Sequence, residues 1–277
     1  MVIPGFATQS ASADACLARG APEFIRVAGV GKTFTSADTT TVRAVDSISC
    51  SIAEGEFVSI LGPSGCGKST LMMMIAGLLA PTDGTITYRD RPVAGPQDDC
   101  GIVFQDGVLL PWRTVQANVE LPSEVRGVPR DERARMSQAM IDLVRLSGFE
   151  RKYPSELSGG MQQRVAIARA LSLRPSVLLM DEPFGALDAM TRDEMNMELQ
   201  RISLESKTTV VFVTHSIVEA AFLSDRVFVM SGRPSSIRRI VDIPIPRPRP
   251  IELMNSGQIG NVVSELRELL EAKSKPE

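Results

Sequence analysis

The run GPSGCGKS from Gly62 to Ser69 sets three glycines, a lysine and a hydroxyl at the spacing GxxxxGK[ST], a pattern that cradles a polyphosphate. Gly62, Gly65 and Gly67 let the backbone curl until successive N–H groups point inward, and a helix starting at the end of the run adds its positive terminus. Lys68 is expected to bridge the β- and γ-phosphates of a bound ATP and the Ser69 hydroxyl to ligate Mg2+, with Pro63, Ser64, Cys66 and Thr70 completing the loop. With glycine near 7% of average usage, the four specified positions coincide by chance in about one chain in a hundred, and the flanking strand FVSIL and helix TLMMMIAGLL make coincidence rarer still. Cys66 reads as a tolerated small residue, yet Lys68 and the helix end are expected to depress its pKa, so that its alkylation blocks hydrolysis and ATP protects it.

Acidic residues of the right kind follow about 110 residues later, where VLLMDEP puts Asp181 and Glu182 at the C-terminal end of an apolar strand, the ligand-binding edge of open α/β sheets. Asp181 is expected to hold magnesium through a water and Glu182 to polarise the attacking water as general base. Acids are common at solvated strand ends, but downstream of a phosphate loop the catalytic reading is the stronger. His215, the only histidine, ends TTVVFVT as Asp181 ends VLLMD. A lone histidine is more often structural, yet at that edge it could sense the γ-phosphate or orient the water and Glu182.

These residues need a frame. From Phe24 to Tyr88 short β-rich segments (FIRV, TVRAV, ISCSI, FVSIL, GTITY) alternate with turn residues, interrupted by a helix over Ser69 to Leu79. From Thr114 to Leu173 the spacing turns helical and predicts a separate lobe, about 112–173. After Pro175, VLLMD, TTVVFVT and RVFVM alternate with helices, as in a parallel sheet covered on both faces. The fold class is therefore α/β, a core sheet with an antiparallel β part and an inserted helical lobe. Residues 1–22 read as a loose tail without the features of a signal peptide, and 23–240 as the catalytic domain. IPIPRPRP at 243–250 reads as a polyproline-like linker within a 241–277 extension that ends in a helix over Ile259 to Leu270.

A net charge of −3, from 30 basic and 33 acidic residues, gives no bulk basicity for nucleic acid. The longest apolar run, Leu71 to Ala80, falls short of the roughly 20 residues that span a bilayer. Cys16, Cys50, Cys66 and Cys100 form no CxxC pair and fit reduced thiols.

LSGGMQQR, Leu157 to Arg164, resembles the signature of the ATP-binding cassette (ABC) ATPases. In order, GPSGCGKST, Gln105 in VFQD, LSGGMQQR, LLMDEP, Ala186-Leu187-Asp188 and His215 are similar to that family's complete motif set, over residues of about 24 to 235. The resemblance implies a P-loop NTPase (RecA-like) core and a homodimer formed on ATP binding. Ser158, Gly159 and Gly160, at a helix start, would face the γ-phosphate held by the other copy, with Asp188 lining the seam. Gln105 would touch magnesium and the attacking water. Phe34 sits where the family has an aromatic that stacks on adenine, a core phenylalanine being the other reading. Met161 stands where glutamine is usual, which alters side-chain contacts but not the backbone donors.

GVLLPWRTVQANV and FGALDAMTR resemble the importers of nitrate, sulfonate and taurine. That implies two membrane permease subunits contacted through the Gln105–Trp112 region, Leu109, Leu110 and Trp112 included, and an external substrate-binding protein engaged indirectly. Trp112 is either an aromatic anchor in that groove or a core residue of its own lobe. The implied place is peripheral, on the cytoplasmic face of the cell membrane. The alternative, a soluble ABC ATPase serving repair, translation or iron–sulfur assembly, lacks support in any coiled-coil, zinc or second-cassette segment. An unrelated P-loop kinase leaves LSGGMQQR unexplained.

Overall fold

The structure, a computed structural model, describes residues 23–35 and 40–272. The 1–22 tail and Cys16 lie outside the described residues. In chain order the strands are β1 (Glu23–Thr35), β2 (Thr41–Ala53), β3 (Phe57–Leu61), β4 (Asp83–Tyr88), β5 (Arg91–Pro92), β6 (Cys100–Val103), β7 (Val177–Asp181), β8 (Thr209–Thr214), β9 (Arg226–Met230) and β10 (Ile237–Asp242). The helices are α1 (Lys68–Ile75), α2 (Val115–Val125), α3 (Arg130–Leu143), α4 (Gly159–Leu171), α5 (Ala189–Ser206), α6 (Ile217–Leu223) and α7 (Gly257–Glu271).

A six-stranded sheet in the order β10-β9-β3-β8-β7-β6 forms the core. Strands β3, β6, β7, β8 and β9 run parallel and only β10 is antiparallel. All residues of β3, β8 and β9 are buried, as two covered faces require of continuous Val, Ile and Phe runs. The four-stranded antiparallel sheet β2-β1-β4-β5 closes one side, and its Ile25, Val27, Ile48 and Ile52 share a core with Leu71 and Met72 of α1. On the opposite face, α2 to α5 pack Val119, Ile141, Val165 and Leu199 against Phe57, Leu178 and Phe212.

Three local features differ from the sequence pattern. TVRAV and ISCSI belong to one strand, β2, because Ser47 takes a positive φ of 47° and lets the strand continue through an irregularity. Helix α1 stops at Ile75, ahead of the expected Leu79, because Gly77 turns left-handed (φ 72°) just beyond the helix cap. The stretch read as a linker is packed onto the sheet domain: Ile243 joins Leu61, Val227, Ile259 and Leu266 in a third apolar cluster, and Arg249 is fully buried. Its guanidinium donates to the carbonyls of Ala221 and Phe222 in the last turn of α6 and of Ile245, so Arg249 anchors the segment to the domain while its four prolines stay exposed.

Candidate functional site

Three neighbouring strands deliver the chemistry to one edge. Leu61, the last residue of β3, pairs with Thr214 at the end of β8, and Asp181 at the end of β7 pairs with Val213. The chain therefore leaves β3 into Gly62, β7 into Glu182 and β8 into His215 side by side, the edge where parallel sheets collect ligands.

Between β3 and α1, Pro63, Ser64 and Gly65 are exposed, Gly62, Cys66 and Lys68 are buried, and Ser69 and Thr70 are half-buried. Gly67 takes φ 114°, and a Cβ there would approach Ser235 Oγ at 3.0 Å, so glycine is required at the helix entry. Helix α1 has no side-chain cap and no acid in its first turn, which leaves its positive end to the loop. Lys68, only 4% exposed, donates through Nζ to the carbonyls of Gly62 at 3.0 Å and Pro63 at 3.2 Å.

The Ser69 hydroxyl donates to Asp181 Oδ1 at 3.0 Å. Burial, aided by the neighbouring Glu182 charge, pushes the Asp181 carboxyl above its usual range against the opposing Ser69 bond and Lys68. Glu182 has a left-handed backbone (φ 44°), unusual for a non-glycine residue, with its N–H held by the Val213 carbonyl at 2.9 Å. One Glu182 oxygen lies 3.6 Å from Lys68 Nζ and the other 3.0 Å from His215 Nδ1. Of the sequence-derived candidates, Lys68, Ser69, Asp181, Glu182 and His215 thus form one contiguous group.

Gln105 follows β6 and is exposed, its amide beside Gly185: a Cβ on Gly185 would meet Gln105 Nε2 at 3.3 Å. Ser158 caps α4, its hydroxyl accepting from the Met161 N–H at 3.3 Å. Asp188 caps α5 through Thr191, and the bond from the Thr191 N–H is the main influence holding its carboxyl below the usual range. These two helix starts abut within the chain, since a Cβ on Gly160 would lie 2.6 Å from Thr191 Cγ2 and one on Gly159 3.5 Å from Leu187 Cδ2. Phe34 is 42% exposed at the end of β1, with Lys32 Nζ 5.5 Å from its ring centroid, and is not a core phenylalanine. Trp112 is 71% exposed and so is not buried in its own lobe; Val108 is exposed beside Leu109 and Leu110, which are half-buried.

The expected lowering of the Cys66 pKa is corrected by the structure. Burial pushes this thiol up, and Lys68 and its neighbours offset only part of the effect. Two arginines were not legible from the sequence. Arg233 donates to the Gly65 carbonyl at 2.5 Å and braces the phosphate loop from outside. Arg169 of α4 donates to the carbonyls of Gly107 and Val108, both at 2.8 Å, tying the segment after Gln105 to the helix that begins at Ser158. Both contacts join residues far apart in the chain, and no motif marks them.

A family model described as ABC transporter matches residues 45–185. Over 208 residues the chain is 51% identical to an uncharacterized ABC transporter ATP-binding protein of Methanocaldococcus jannaschii, covering 75% of this chain and 78% of that one. It is 43% identical over 225 residues to an aliphatic sulfonates import ATP-binding protein of Bacillus cereus, covering 81% and 88%. Among solved structures it overlays, with a TM-score of 0.69 and 33% identity, on a dimeric post-hydrolysis ATP-binding cassette bound to ADP and Pi, covering 80% of this chain and 100% of that chain.

Proposed function

The chain belongs to the ABC transporter family and is an ATP-hydrolysing subunit of it, and we propose that it energises uptake of a small solute, of the nitrate, sulfonate or taurine kind, through two membrane permease subunits. The observation that carries the hydrolytic part is Glu182, set between Lys68 and His215 at the edge where the phosphate loop and Asp181 also emerge.

The phosphate loop and the start of α1 bind the ATP phosphates through backbone N–H groups, and Lys68 turns its ammonium from the loop carbonyls to the β- and γ-phosphates. The Ser69 hydroxyl and the Asp181 carboxylate, 3.0 Å apart, are a hard-oxygen pair suited to magnesium. With Gln105 they would hold the ion, which supplies neutralisation of phosphate charge. Glu182 accepts a proton from the attacking water, and His215, bonded to the other carboxylate oxygen, holds Glu182 in aim. Ser158, Gly159 and Gly160 offer a polarised helix start to the γ-phosphate of a second copy, with Asp188 at the seam, so two copies close over two ATP molecules. Phe34, exposed at the end of β1, supplies a stacking face for adenine.

The exposed Trp112 and Val108 support a docking surface for the permease. Hydrolysis lets the two copies part, and the motion alternates the permease between its two faces. Among the described residues no helix is long and apolar enough to cross a membrane, which fits a peripheral subunit on the cytoplasmic face.

Two variants test the chemistry. Glu182→Gln is expected to bind ATP, lose kcat by on the order of a hundredfold or more, and accumulate as an ATP-bound dimer in size-exclusion chromatography. Lys68→Ala is expected to lose ATP binding itself. Wild-type turnover by Glu182→Gln removes Glu182 as the base. For the transport part, protein isolated with ATP from detergent-solubilised native membranes should carry a multi-spanning permease, and only soluble partners would reject the importer assignment.

A further inference from the structure

Glu219 is a buried carboxylate for which the hydrolytic assignment has no use. It lies in the first turn of α6, just beyond His215. One of its oxygens accepts from the Thr214 hydroxyl at 2.7 Å, and that hydroxyl oxygen in turn accepts from the Ser216 N–H at 2.9 Å. Ser216 reciprocates, its hydroxyl accepting from the Glu219 N–H at 3.3 Å. The residues on either side of His215 are thus tied to each other and to Glu219, so the histidine backbone follows this carboxylate.

The other Glu219 oxygen faces Arg192 Nε across 3.6 Å. Arg192 stands in the first turn of α5, and its Nη2 donates to the carbonyl of Leu187 at 2.8 Å, directly before the seam residue Asp188. The buried Arg192 Nε makes no hydrogen bond. It therefore stands just outside bonding reach of Glu219, and a shift of a few tenths of an ångström by either loop would make the bond. A carboxylate this deeply buried is costly unless paired, and the groups that offset its desolvation are Thr214, Arg192 and His215.

We propose that Arg192 and Glu219 are positioning residues that couple the Leu187–Asp188 loop to the His215 loop, so that engagement of Asp188 by the second copy shifts His215 relative to Glu182, which it already meets at 3.0 Å in the single chain. The proposal rests on the assignment of Glu182 and His215 above. It makes closure of the seam and readjustment of the His215–Glu182 pair one event: the Leu187 carbonyl moves Arg192, Arg192 closes on Glu219, and Glu219 moves the Thr214–Ser216 segment.

The test uses the fact that His215 is the only histidine. In the untagged full-length protein the imidazole proton and carbon NMR resonances report on this one ring. Arg192→Met and Glu219→Gln are each expected to shift those resonances and to lower kcat for ATP by on the order of tenfold, with KM for ATP within about twofold of wild type. The double variant should lose no more than the worse single variant. Glu205→Gln, which breaks an exposed pair with Arg201 at the far end of the same helix, should change neither signal nor rate. The Arg192 side chain is 37% exposed, so its removal leaves no buried void and carries the test if Glu219→Gln does not fold. Unmoved His215 resonances with wild-type kcat in Arg192→Met would overturn the coupling, and so would losses that multiply in the double variant. Wild-type turnover by Glu182→Gln marks a failure of the catalytic assignment instead, which the position of the imidazole resonances does not mimic.

Discussion

Replacing Arg249 with methionine keeps the apolar stem of a fully buried side chain and removes only its guanidinium. The guanidinium donates four bonds to three carbonyls, Ala221, Phe222 and Ile245, of which the first two close α6. A cation is favoured at that helix end. Burial pushes the guanidinium pKa down to about 10, which still leaves it charged near neutrality. In Arg249→Met each abandoned carbonyl costs about 1–3 kcal/mol if water cannot reach it. Part is offset because no charge then has to be desolvated, a saving of several kcal/mol. The main-chain pairing of Arg249 with the Gln200 side chain, at 2.5 and 2.8 Å, survives the change. The net expectation is a loss of about 2–4 kcal/mol, or roughly 5–15 °C in melting temperature for a chain of this size. Thermal unfolding followed by circular dichroism, with urea titrations to check a constant m value, measures it against the exposed Arg239→Met. A melting temperature within about 2 °C of wild type at unchanged m would refute the reasoning and reduce the C-terminal segment to a strap that the core does not need.

Two further expectations concern titratable groups. Cys66 is 2% exposed and its thiol is pushed up by burial, so iodoacetamide should modify it at pH 8 at least about tenfold more slowly than in the urea-unfolded chain, as read by peptide mass spectrometry; equal rates would show the thiol to be accessible and activated. Tyr88 donates to Asp99 Oδ2 at 2.7 Å, and burial first, then that bond, raise its pKa to about 12. Because the folded-state value is raised, the stability from this phenol is complete below its ordinary pKa of 10.0 and is lost as pH climbs through about 12. In a Tyr153→Phe background, which leaves Tyr88 as the only tyrosine, phenolate absorbance should rise with a midpoint near 12, and a midpoint near 10 would contradict the buried Tyr88–Asp99 pair.

The phosphate loop, the acidic strand end and the lone histidine were legible because each is a local pattern: glycines, lysine and serine within eight residues, or a polar residue ending an apolar run. Local patterns also showed which segments are strands of a parallel sheet, since burial on both faces demands unbroken apolar sequence. Such patterns say little about the depth of a side chain. The thiol of Cys66 was expected to be depressed by its neighbours, but its burial outweighs them. Nor do they say which way a side chain faces: the sequence allows core or surface for Phe34 and Trp112, and the fold exposes both.

By itself, the sequence determined the phosphate chemistry, the sheet class and the order of the motifs, because backbone curl, helix polarity and strand burial depend on residues close together in the chain. Only the tertiary structure decided that Glu182 stands between Lys68 and His215, that Arg233 and Arg169 brace two loops of the site, and that Arg249 and Glu219 are buried. Those facts depend on strand order and helix packing, which bring together residues as distant in the chain as Gly65 and Arg233, 168 positions apart. A polar side chain placed by such packing leaves no periodicity in the sequence to reveal it.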